Sequence, residues 1–157
     1  MPSCLPRWRW QNRCVTRFNL AAFFLLIPLS ARADEHPTLL LSVGTATLQV
    51  EIAATPRQQE QGLMARTHLD EDAGMLFIFE RKSGYCFWMK DTLIPLSVAF
   101  LDDDGRVVNL ADMQPMSTTL HCPDRAVRYA LEVNQGWFGR QRIQPGMRVN
   151  GLPPGIN

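Results

Sequence analysis

Between Ala46 and Ile52 the chain alternates without exception: Ala46, Leu48, Val50 and Ile52 are apolar, and Thr47, Gln49 and Glu51 between them are polar. Side chains of an extended strand point to opposite faces in turn, so this pattern buries one face and wets the other. A helix is excluded, because its apolar positions recur every three or four residues. Alternation of this kind belongs to antiparallel sheets. Most of the remaining chain reads in the same terms. Thr38 to Val43 is a strand that turns through Gly44-Thr45 into the first. Met75-Leu76-Phe77-Ile78-Phe79 is an unbroken apolar run, suited to a strand covered on both faces. Leu96 to Leu101 and Arg106 to Leu110 form a hairpin across Asp103-Asp104-Gly105. Asp-Gly favours such a turn, and the aspartate spacing is not that of a calcium loop. In Ala126 to Val133, the residues Val127, Tyr129 and Leu131 alternate against Arg128, Ala130 and Glu132. Ile143 to Val149 is a last short strand, and Ala111 to Asp124 reads as a loop.

One short helix is expected. Thr55 is a good N-cap, Pro56 suits the first helical position and Gln58 completes a capping box, while Gly62 interrupts the helix soon after. Its residues 57–61 are all polar, so packing has to come from Leu63, Met64 and Leu69. Many short strands, turns at close intervals and a single helix predict a mainly β fold, a compact β-sandwich or barrel.

The N-terminus sets the compartment. Arg7, Arg9, Arg13 and Arg17 stand in a segment without acids, followed by the apolar run Phe18 to Leu29, broken only by Asn19, and by Ala31-Arg32-Ala33. A basic region, an apolar stretch too short for a bilayer and an A-x-A site predict a signal peptide over 1–33. Cleavage near Ala33 leaves one β-rich domain over 34–150, a flexible tail over 151–157 and no stable membrane anchor. The product is expected to be periplasmic or secreted, and a monomer. Net charge over the whole chain is +1, so bulk electrostatics draws it to neither nucleic acid nor an acidic surface, and no nucleic-acid partner is expected. Of four cysteines, Cys4 and Cys14 leave with the signal. Cys86 and Cys122 remain, and in an oxidising compartment they are expected to pair as a disulfide rather than hold a metal beside His121.

Four motifs carry a family resemblance. Gly62-Leu63-Met64-x-Arg66, Gly74-Met75-Leu76-Phe77-x-Phe79, Phe87-Trp88-Met89-Lys90-x-Thr92-x-Ile94-Pro95-Leu96 and Leu131-Glu132-x-Asn134-x-Gly136 resemble, in this order, the domain-of-unknown-function-192 family. The match runs from about Leu48 to Val149. It implies a small, jelly-roll-like β domain, often exported, and no established activity. Two positions depart from the family pattern. Asp91 stands where the pattern usually has Asn, and Ser97 where it has Asp. If that acid contributes to a site, Ser97 cannot replace it, and nearby Asp91 is the substitute at hand.

Trp88, Lys90 and Asp91 form the densest cluster of chemically able side chains. On a strand, Trp88 and Lys90 share a face, so Trp88 can stack on a ligand ring while Lys90 supplies charge. The competing reading is a core Trp, with Lys90 reaching water or pairing with Glu132, and small β cores favour it. Arg66 either pairs with Glu60 or meets an anionic ligand, with pairing preferred. Asp112 and Glu132 complete the candidate ligand-binding set as polar companions. The methionines, which could hold Cu(I), stand singly in apolar segments and read as core, so no metal and no cofactor is expected. His68 and His121 lie in no nucleophile motif, and no phosphate-cradling loop occurs, which makes an enzyme the weaker case. The expectation is a binding or accessory module for a small molecule, a glycan or another envelope component. The alternatives are an envelope enzyme using Lys90 and Asp91 as acid and base, and metal handling by methionines with His121.

Overall fold

The computed structural model describes residues 36–154. The expected signal peptide, its expected cleavage site near Ala33 and the last three residues of the expected tail lie outside them. The fold is mainly β, as expected: one seven-stranded sheet curled into a half-barrel. Its strands are β1 (Thr38–Val43), β2 (Ala46–Ala53), β3 (Ala73–Ser83), β4 (Leu96–Leu101), β5 (Val107–Met113), β6 (Val127–Asn134) and β7 (Val149–Asn150). Their order across the sheet is β5-β4-β6-β3-β2-β1-β7. All pairs are antiparallel except β2–β3. A parallel pair needs a crossover, and the helix α1 (Pro56–Gln61) supplies it. Thr55 caps α1, the Gln58 side chain returns to the Thr55 backbone, and Gly62 ends it with φ +47°. The helix itself buries nothing; Leu63 and Leu69 beyond it do.

Several elements differ from the sequence reading. A second short helix, α2 (Trp137–Arg140), follows the Asn134-Gln135-Gly136 turn. β5 continues through Met113, where a loop was expected, because it pairs along the whole of β4. The expected strand over 143–149 shrinks to Val149–Asn150. In the expected tail, Leu152 packs on the core and the Pro153 carbonyl accepts a hydrogen bond from the Tyr129 hydroxyl at 2.8 Å.

The sheet buries both of its faces. On one, Leu41, Leu48, Leu76, Leu131, Trp137 and their neighbours form a core. On the other, Leu63, Met75, Phe77, Met89, Leu96, Phe100 and Met113 form a second. Met75, Met89 and Met113 are fully buried, so those three thioethers serve packing. The interior strand β6 is therefore buried on both faces from Tyr129 to Val133. Ala130 and Glu132, which alternate with Val127, Tyr129 and Leu131, are buried as well. Between β3 and β6 the backbones come so close at Gly74 that a methyl group there would collide with the Glu132 carbonyl. Gly74→Ala is expected to cost roughly 1–3 kcal/mol, as overpacking does. Urea unfolding checks it, and an unchanged midpoint would mean that the two strands can part freely.

Candidate functional site

On the second face lies a cavity of about 1010 Å³. Its floor is sheet: Phe77 and Phe79 alternate along β3, and Glu132 stands on the adjacent β6. α1 and the turn at Gly62 make one side. The segment from Gly84 to Pro95 lies across it and belongs to no strand. This corrects the strand assumed for Trp88 and Lys90. Backbone hydrogen bonds hold the segment instead: Phe87 exchanges two with His121 (2.7 and 2.8 Å), and the Met89 amide donates to Ser117. The Cys86–Cys122 disulfide closes the same junction. Two adjacent crossings of chain therefore keep this cover in place.

Asp91 adopts a left-handed conformation, φ +57°, and its carbonyl accepts from the Ala65 amide at 2.9 Å. Asn and Asp enter that region more readily than other residues with side chains. The family's usual Asn and this chain's Asp91 thus answer one backbone demand. Ser97 is the second departure, and it lies off the cavity. It alternates with Leu96 and Val98, which belong to the cavity-side core, and so it faces the other way. Its hydroxyl donates to Asp112, directly opposite on β5, and accepts from the Gly136 amide.

Of the six expected ligand residues, Trp88, Lys90, Asp91 and Glu132 line the cavity. Asp112 is taken up by Ser97 and lies on the opposite face, because it alternates along β5 with Ala111 and Met113, which belong to the cavity-side core. Arg66 pairs with Glu51 at 2.7 Å and not with Glu60; the Gly62 bend turns Arg66 back toward β2. Trp88 is 46% exposed, so it is no core residue; Trp137 fills that role, fully buried, with its indole N–H on Asp72 at 2.9 Å. Lys90 does not reach Glu132 in an ion pair. Its ammonium stands over the Trp88 ring, 5.6 Å from the centroid. The aromatic walls were not singled out from sequence: Phe87 meets Phe77 edge-on at 4.9 Å, and Tyr85 meets Phe79 at 5.4 Å. Phe77 and Phe79, two apart on one strand, were the available signal.

Glu132 is the exceptional group. It is 4% exposed, and burial pushes its pKa up from 4.5 to about 8, so at neutral pH it is an uncharged acid. Among the described residues no hydrogen bond or neighbouring charge offsets that burial. No sealed side-chain polar atom in the described fold lacks a partner, so the carboxyl oxygens of Glu132 open onto the cavity. A desolvated, unpartnered acid at the floor of an aromatic cavity can donate a proton, accept one, or bind a charge brought by a ligand.

Comparison with known proteins adds the lineage. The family model DUF192, described as Uncharacterized ACR, matches residues 39–151. Two similar crystal structures share 33% identity with the chain. One is a Sinorhizobium meliloti 1021 protein described as a "putative transcription regulator", with TM-score 0.74, covering 76% of this chain and 97% of its own. The other is a Novosphingobium aromaticivorans DSM 12444 protein of unknown function, with TM-score 0.71, covering 78% and 89%. No curated protein matches the chain.

Proposed function

The chain belongs to the DUF192 family, which is described as uncharacterized, and from that premise we propose that it is an exported small-ligand binding module. The ligand lies in the cavity above Phe77 and Glu132 and beneath Trp88. The observation that carries this reading is the cavity itself. Its volume is that of a site for a drug-sized molecule, with Phe77, Phe79 and Glu132 at its floor and a charged rim open to solvent. The cover is tied by a disulfide, which fits the periplasmic or secreted location that the N-terminal segment implies. Location and monomeric state form part of the proposal.

Trp88 and Trp137 are the only tryptophans after residue 33, and Trp137 is buried away from solvent. Ligand entry is therefore expected to change the Trp88 emission alone. A titration with glycans, amines, aromatic acids and envelope peptides should give a saturable change that Trp88→Ala removes. No change with any compound, or the same change in Trp88→Ala, would overturn the reading.

One observation favours a second reading. Catalytic acids are held near the working pH by burial, and Glu132 meets that description beside Lys90 and Asp91. An envelope enzyme built on these residues would use Glu132 as the proton donor. Slow conversion of a bound compound, lost in Glu132→Gln while binding persists, separates this reading from simple binding.

A further inference from the structure

We infer that the ligand of this cavity is an organic cation, its ammonium group held by the Glu132 carboxylate among the rings of Phe77, Phe79, Phe87 and Trp88. The inference rests on the binding reading above and assigns its chemistry.

Three observations converge on it. A carboxyl group buried without a partner is tolerated as the neutral acid, and as the anion only when a positive charge comes with it. The protein supplies none at Glu132, because Lys90 stands over Trp88 instead. Second, the lining has more free negative than positive charge. The carboxylates of Glu60 on α1, Glu80 on β3 and Asp91 in the cover have no side-chain partner among the described residues. Of the basic groups, Lys82 is held by Asp103 at 2.6 Å, which leaves Arg81 and the Trp88-bound Lys90. Tyr85 is the remaining ionisable group of the lining, and β4, packed along β6, carries none. With Lys82 held by Asp103, three carboxylates stand against two cations, so the lining offers an anionic ligand no net positive charge. Third, aromatic faces attract cations, most strongly where water is excluded. Lys90 over Trp88 is a cation–π contact already formed at the mouth of the cavity.

Binding then has a proton balance. An ammonium group that enters beside neutral Glu132 drives its proton out to solvent, and the cation and the new carboxylate pair. Raising the pH helps the cation, whereas a ligand accepting a hydrogen bond from the neutral acid is helped by lowering it. The two chemistries thus have opposite pH signs.

The test uses benzyltrimethylammonium, whose charge is the same at every pH, against benzyl alcohol and benzoate, measured by titration calorimetry on the purified protein. The cation is expected to bind best and to release about one proton per ligand at pH 7, read from heats in buffers of different ionisation enthalpy. Its association constant should rise about tenfold from pH 6 to pH 7 and level off above about pH 8. In Glu132→Gln, with folding checked by circular dichroism, affinity should drop at least tenfold and proton release should vanish. Benzoate or benzyl alcohol binding as tightly as the cation, or cation binding indifferent to pH and to Glu132→Gln, would overturn the inference and leave the binding module standing. Silence from these probes and from the broader fluorescence panel would remove both.

Discussion

Replacing Glu132 by Gln is expected to stabilise the protein strongly at pH 9 and to change it little at pH 5. The reason is linkage. The folded protein keeps the Glu132 proton up to about pH 8, whereas the unfolded chain releases it near the ordinary 4.5. Across that window the folded state binds more protons than the unfolded state, so stability declines as pH rises and levels off above about pH 8. Integrated over the window, the loss is on the order of 5 kcal/mol. Gln presents the neutral shape at every pH and so removes the decline. Tyr129, whose phenol pKa is raised chiefly by burial, titrates in a more alkaline range and cancels between the two proteins. Urea unfolding at pH 5, 7 and 9 is the measurement. A shift of the midpoint that is the same at all three pH values would refute the account, because a packing effect has no such pH signature.

Removing the disulfide is the second large effect, and it has the opposite character. Cys86 and Cys122 are 36 residues apart, and a closed loop of that length restricts the unfolded chain by about 4 kcal/mol in the chain-entropy model. The double variant Cys86→Ala, Cys122→Ala should lose about that much, equally at pH 5 and pH 9. Domains of ordinary stability hold only 5–15 kcal/mol in all, so the loss is a large share. The Phe87–His121 hydrogen bonds should still guide the cover into place, and the folded spectrum should be retained. The urea slope should increase, since the uncrosslinked unfolded chain exposes more surface. A double variant with the wild-type midpoint would mean that the bridge constrains nothing the fold does not already constrain.

What was legible in the sequence was local. Thr55, Pro56, Gln58 and Gly62 announce the helix and its end, because a cap depends on residues three or four apart. The Asp103-Asp104-Gly105 turn follows from one glycine at φ +73° and the Asp102 carboxylate, which accepts from the Asp104 and Arg106 amides. The cysteine pairing followed from the expected compartment and from count, and the family from four motifs in order. Other errors were failures of context. Arg128, Ala130 and Glu132 share one face of β6, yet β6 is interior and only Arg128 keeps part of its surface in water. Trp88 and Trp137 look alike in sequence, and only packing tells the rim residue from the core residue. Arg66 chose Glu51 over the nearer Glu60 because a parallel crossover brings β2 beneath it.

The stretch from Tyr85 to Pro95 marks the boundary between the two kinds of information. Its composition picked out Trp88, Lys90 and Asp91 without help from any other part of the chain. Whether those residues formed a strand, a core or a rim depended on groups far along the sequence: His121 and Cys122 that hold the cover, and Glu132 beneath it. Strand alternation, caps and turns are set by neighbours along the chain, so the sequence alone determined the β class, the helix and the cysteine pair. The burial of an acid is set by everything that surrounds it. Only the tertiary structure, by desolvating Glu132 among aromatic rings, decided which residue of this family member holds an uncharged carboxyl at neutral pH.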